Sequence, residues 1–164
     1  MQHIKIPFKD TKIFSSFFLD YIHQKDSLKK FYNRFPTLPA FEGQIQDKQK
    51  TFSDQSRTTL HEALKNQYKD LEVSELVDKN INALKEKNTL TITTGHQLNI
   101  FTGPLYFIYK IVSVINACKS LKKSYPSFNF IPVYWMASED HDFEEISYFK
   151  LYGKKYTWET DQKG

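Results

Sequence analysis

The chain has one cysteine, Cys118, among 164 residues, so no internal disulfide can form. A lone thiol suits a reducing cytoplasm, and a cytoplasmic location is expected on that ground. No apolar run approaches the eighteen residues that a helical membrane span needs, so no membrane partner is expected. The N-terminus, "MQHIKIPFKDTKIF", has neither a long apolar segment nor a small-residue cleavage site, which argues against a secretory signal. Strong charge of one sign is also missing. The net charge is +4, and the lysines are scattered or paired, as at Lys29–Lys30 and Lys122–Lys123. Such a pattern reads as solvated surface, and no nucleic-acid partner is expected. Glycine is scarce, at five residues, and proline little commoner, at six. What remains is a globular composition: 40% apolar, with phenylalanine and tyrosine abundant.

The first part of the chain has helical periodicity. In "SSFFLDYIHQKDSLKKFYNRF", Phe17, Phe18, Tyr21, Ile22, Leu28, Phe31 and Tyr32 recur at a spacing of three to four, with Ser15 or Ser16 as N-cap. "FPTLPAFEGQI" carries two prolines and a glycine and predicts a turn. A polar helix, surface-lying or paired with a missing partner, is expected over roughly residues 46–66. Another follows in "VSELVDKNINALKEKN", capped by Ser74.

The pattern then changes. "TLTITTG" alternates β-branched residues and ends in a glycine, as a strand ends in a turn. Pro104 opens a helix whose Leu105, Ile108, Ile111, Val112, Ile115, Cys118 and Leu121 define an apolar face. "FIPVYWMAS" has strand length and apolarity, as expected of a strand buried on both faces of a parallel sheet, with Trp135 and Met136 in the core. "YFKLYGKKYTWET" alternates around Gly153 and predicts a hairpin with Tyr156 and Trp158 on one face. Residues 89–138 therefore read as one β-α-β unit with parallel strands. Two domains are expected, an N-terminal helical region over 1–88 packing on the core and an incomplete α/β core over 89–164. Two parallel strands and a hairpin make a poor sheet, so the chain is expected to be the N-terminal part of a longer protein, or to complete its sheet with another chain.

Ligands of open parallel sheets bind beyond the C-terminal strand ends. Two unusual clusters fall there. In the first, Gly95 and Gly103 allow positive φ or a close ligand, and His96 and Gln97 offer neutral donors and acceptors. Thr102 is a further polar group or a cap, and the helix start at Pro104 is suited to a phosphate or carboxylate. A plain strand–helix turn shaped by glycine and proline is the alternative. The second cluster, "EDHDFEE", packs five carboxylates and His141 into residues 139–145. Their mutual repulsion calls for a cation, a basic substrate group or ion pairs. Substrate contacts, a metal held by His96, Asp140, His141 and Asp142 in a hydrolase, and an exposed acidic helix start are three readings of it. A non-catalytic binding module is a further alternative. Cys118, on the apolar helix face without a basic neighbour, is expected to be a buried structural thiol.

"TTGHQLNIFTGPLYFIYKI", followed about thirty residues later by "PVYWMASEDHDFEEI", resembles the BshC family of cysteine-adding ligases in bacillithiol biosynthesis. The resemblance covers about residues 91–146. It implies a Rossmann-like core similar to class I aminoacyl-tRNA synthetases and other nucleotidyltransferases, of which this chain holds the N-terminal helices and the first β-α-β unit. It also implies a C-terminal coiled coil and a homodimer in the full-length protein. The implied reaction joins cysteine through an amide bond to the amino group of glucosaminyl-malate, with ATP activating the carboxylate and ADP or ATP as the nucleotide ligand. No resident metal is implied. His96, Asp140 and His141 would be catalytic. Gly95, Gln97, Thr102, Gly103, Tyr106, Glu139 and Asp142 would bind substrate or nucleotide. Where class I enzymes carry His-Ile-Gly-His, this chain has Phe101-Thr102-Gly103-Pro104, which keeps the glycine and lacks both histidines.

Overall fold

A computed structural model describes residues 4–139 and 143–161. The chain forms two compact units, Met1–Lys48 and Gln49–Gly164.

In the first unit a 3-10 turn (Phe8–Thr11) leads to α1 (Ser16–Ile22), a second 3-10 turn (Asp26–Phe31) and most of α2 (Ala40–Thr51), whose last residues belong to the second unit. Ser15 caps α1, its hydroxyl accepting from the Phe18 amide at 3.2 Å. The expected single helix stops at His23, because Gln24 takes a left-handed φ of 54°. Aromatic rings supply much of the packing. Phe8, Phe14 and Phe18 form one cluster, with centroids 4.7–5.7 Å apart. Tyr21, Tyr32 and Phe35 form another. The predicted turn is displaced: α2 begins at Ala40, and Gly43 is helical. A Cβ on Gly43 would come 2.7 Å from Arg34 Nε, so this glycine makes room for the arginine, which pairs with Asp47.

The second unit contains α3 (Asp54–Gln67) and α4 (Glu75–Ala83), capped by Ser53 and Ser74. The predicted polar helix is thus two helices, broken at Phe52–Ser53. It is also not purely superficial, because α3 carries Arg57 into the interior at 4% exposure. Its guanidinium donates to the carbonyls of Leu84 (3.0 Å), Thr89 (2.9 Å) and Lys87 (3.3 Å), and lies over the Phe52 ring. Arg57 therefore ties α3 to the link between α4 and the first strand.

β1 (Thr89–Gln97), α5 (Leu105–Ser124) and β2 (Asn129–Ala137) form the expected parallel crossover, in register from Thr89↔Asn129 to Gln97↔Ala137. α6 (Phe143–Ile146) and the antiparallel hairpin of β3 (Tyr148–Leu151) and β4 (Lys154–Thr157) follow. Tyr152 and Gly153, at φ 50° and 78°, give the hairpin its primed turn. Tyr156 stacks on Phe149, and Trp158 packs edge-on to Phe143. No helix among the described residues is long and apolar enough to cross a membrane.

Two burial expectations fail. α5 is apolar on most of its circumference, and the stripe turned inward is Phe107, Ile111, Val114, Cys118 and Leu121. Leu105, Ile108, Val112 and Ile115 are exposed. On β2 only Ile131 is buried, and Trp135 and Met136 are each 58% exposed. Periodicity identifies an apolar face but not which layer covers it. Here the parallel sheet has two strands among the described residues, with α5 against it, so side chains on the remaining surface have no cover.

Candidate functional site at the strand ends

The C-terminal ends of β1 and β2 lie side by side, with Gln97 opposite Ala137. Gly95 is a strand residue rather than a turn residue, because β1 continues to Gln97. A Cβ there would lie 2.8 Å from the Trp135 carbonyl oxygen, so this glycine lets the two strands approach at the site. Its carbonyl accepts from Lys110 Nζ at 3.0 Å.

His96 is half-buried and engaged at both ring nitrogens. Nδ1 lies 2.9 Å from the Gln97 carbonyl oxygen, and Nε2 lies 2.8 Å from the Tyr106 hydroxyl. Tyr106 stands in the first turn of α5, so helix start and strand end meet at this pair. Phe107 turns an edge to His96, and Tyr134 donates to the His96 carbonyl at 3.4 Å. Lys110, one turn after Tyr106, lies 5.5 Å from the Tyr106 ring.

The connection between β1 and α5 is a left-handed turn in which Phe101, Thr102 and Gly103 have φ of 51°, 66° and 58°. Left-handed backbone costs roughly 1–2 kcal/mol at each non-glycine residue. A Cβ on Gly103 would meet Asn99 at 2.9 Å. Thr102 does not cap α5; its hydroxyl donates to the Phe101 carbonyl, and Pro104, at the cap position, supplies no side-chain bond. The Phe107 amide bonds back to the Pro104 carbonyl at 2.9 Å, so an anion at the start of this 20-residue helix would meet the amides of Leu105 and Tyr106.

Glu139, two residues beyond β2, accepts from Trp135 Nε1 at 3.2 Å. Asp140, His141 and Asp142 lie outside the described residues. Among the described residues, no three histidine, cysteine or carboxylate side chains cluster as metal ligands. Cys118 is buried in the second half of α5, and burial pushes its thiol pKa up. That matches a structural thiol rather than a nucleophile.

The structure thus brings together Gly95, His96, Gln97 through its carbonyl, and Tyr106. It adds Lys110, Tyr134 and Asn99, whose amide reaches the Gln97 carbonyl at 3.4 Å. The spacing of Tyr106 and Lys110, four apart on a helix, signals a shared face. Tyr134 is recognisable only once the strand register is known.

The family model described as "Bacillithiol biosynthesis BshC, N-terminal Rossmann-like domain" matches residues 1–164. The chain belongs to the BshC family. BshC relatives carry the name "Putative cysteine ligase BshC". That of Flavobacterium psychrophilum is 53% identical over 160 residues, covering 97% of this chain and 30% of the relative. That of Flavobacterium johnsoniae is 53% identical over 159 residues, with the same coverage. A more distant BshC, from Natranaerobius thermophilus, is 36% identical over 148 residues, covering 86% of this chain and 26% of the relative. The chain spans about 30% of the length of the first two BshC relatives. Membership gives the β1–α5–β2 crossover its class, a Rossmann-like α/β fold, and associates it with a family of bacillithiol biosynthesis.

Proposed function

We propose that this chain forms one wall of the active cleft of a ligase that joins the carboxyl group of cysteine to the amino group of glucosaminyl-malate. The observation that carries the reading is the convergence of Gly95, His96, Tyr106 and Lys110 at the C-terminal end of a parallel β-α-β unit, in a chain of the BshC family. Small molecules bind at this end of such sheets. An amide ligase needs groups there that move a proton and orient an amine, and His96 with Tyr106 provides them.

The Leu105 and Tyr106 amides at the start of α5 and the close backbone at Gly103 fit a nucleotide phosphate. When bound, ATP would supply activation of the cysteine carboxylate. Thr102 and Gly103 would line the phosphate side, and Gln97 and Glu139 the substrate side. Asp140 and His141 would complete the catalytic set, with Asp142 beside them as a substrate contact. The full-length enzyme would work as a homodimer in the cytoplasm.

The test is direct. The full-length enzyme is incubated with cysteine, glucosaminyl-malate and ATP, and products are followed by mass spectrometry. The expected result is bacillithiol formation with nucleotide consumption, lowered strongly by His96→Ala and Asp140→Ala in folded protein. Wild-type rates in both variants would remove the site assignment. No bacillithiol from the wild-type enzyme would remove the ligase reading.

A further inference from the structure

The two bonds of His96 settle its tautomer. The Gln97 carbonyl can only accept, so Nδ1 carries the proton in the bond at 2.9 Å. In the neutral ring Nε2 then has the lone pair, and the Tyr106 hydroxyl, 2.8 Å away, donates to it. The only basic atom of the imidazole is therefore covered by Tyr106. The group that meets the open side is the tyrosine, which is 53% exposed, while His96 is half-buried behind it.

Three ties keep this order. Lys110 Nζ bonds the Gly95 carbonyl, one residue before His96, and lies against the Tyr106 ring. Tyr134 bonds the His96 carbonyl from β2. The Phe107 ring is edge-on to His96 and to Tyr134. The strand end and the first turn of α5 are thus held in one relative position.

We propose that Tyr106 is the catalytic residue that receives a proton from the substrate's primary ammonium group, with His96 as the acceptor behind it and Lys110 as a positioning residue. This rests on the ligase reading, because an ammonium group must lose a proton before its nitrogen can attack a carboxyl carbon. One N–H bond of the ammonium breaks and a new O–H bond forms on Tyr106. The original Tyr106 proton moves to His96 Nε2. The ammonium becomes a neutral amine, the imidazole becomes an imidazolium, and Tyr106 is neutral before and after. His96 keeps its Nδ1 bond to the Gln97 carbonyl throughout, so the ring need not turn.

The full-length enzyme and its Tyr106→Phe variant are compared in two assays. In the first, Tyr106→Phe should lower kcat by about 10²-fold, the lower end for a lost general acid–base group, while KM for the amine substrate stays close to wild type. In the second, diethyl pyrocarbonate is applied and carbethoxylation of His96 is followed by peptide mass mapping. Removal of the hydroxyl uncovers Nε2, so His96 should react faster in Tyr106→Phe, with the other histidines unchanged. Lys110→Met should lower kcat, and Lys110→Arg should restore part of it. Unchanged kcat in Tyr106→Phe, or unchanged His96 carbethoxylation, would overturn the relay. If the wild-type enzyme forms no amide product, the ligase reading fails. The carbethoxylation rates then decide alone whether Tyr106 covers His96.

Discussion

Replacing Arg57 by methionine keeps most of the side-chain volume and removes the guanidinium donors from a buried junction, where Gln49 Nε2 still reaches the Lys87 carbonyl at 3.4 Å. Arg57 is 4% exposed, and its guanidinium serves the Leu84, Thr89 and Lys87 carbonyls at 3.0, 2.9 and 3.3 Å. No carboxylate pairs with it among the described residues, so the substitution strands acceptors rather than a partner charge. A hydrogen bond from a charged donor contributes about 1.5–3 kcal/mol, and a stranded buried acceptor costs about 1–3 kcal/mol. Two of the three bonds are fully buried and the Lys87 bond is longer and partly exposed. Desolvation of the cation, relieved in the variant, offsets part of the loss. The net is on the order of 3–4 kcal/mol, a large share of the roughly 5–15 kcal/mol that holds a domain folded. The loss should concentrate where the carbonyls are. Hydrogen–deuterium exchange of the full-length enzyme, read on peptides covering residues 81–92, should accelerate about 10²-fold or more in Arg57→Met. Arg57→Lys, one point charge in place of a fork, should give an intermediate result. Exchange at 81–92 indistinguishable from wild type would refute the claim that Arg57 secures the entry to β1.

Three further outcomes are expected. Gly95→Ala places a methyl 2.8 Å from the Trp135 carbonyl and should cost about 1–3 kcal/mol, seen as a lower melting temperature and faster exchange at the ends of β1 and β2. The hydrogen bond from Lys65, and then its charge, holds the Asp78 carboxyl below the usual carboxylate range. That contribution is complete above the unfolded-state pKa of about 3.9 and fades as pH falls through the lower folded value. Asp78→Asn should therefore destabilise at pH 7, with the effect shrinking as pH falls below about 3.9, as measured by urea melts at each pH. Burial pushes the Cys118 thiol up, so its thiolate fraction at pH 8 is below that of a free cysteine. A disulfide reagent should label Cys118 slowly in native protein and fully in denaturant, by absorbance or intact mass.

Much of the architecture was legible because it rests on local physics. Ser15 and Ser74 cap helices as expected, since a hydroxyl before an apolar-periodic run meets a free amide within one turn. The β-α-β unit and the hairpin followed from period changes and from Gly153. His96 and Tyr106 both belong to the motif that carries the family resemblance, although nothing local in the sequence shows that they bond each other. The bond of Lys110 leaves no signal in the sequence, because its target is a backbone carbonyl on another element, which no side-chain motif records. Gln24 broke a helix that periodicity would have continued, since a left-handed residue other than glycine leaves no compositional mark.

The sequence by itself determined the Ser15 and Ser74 caps, the parallel crossover, the hairpin and the family, because each depends on neighbours along the chain or on a contiguous motif. Tertiary structure decided which face of α5 turns inward, why Gly95 is a glycine, and where Arg57 spends its charge. It also decided that the Tyr106 hydroxyl meets His96 Nε2. These depend on layers and carbonyls brought together by folding. An apolar helix surface is compatible with several faces of burial, and a histidine's free nitrogen is set by what stands opposite it.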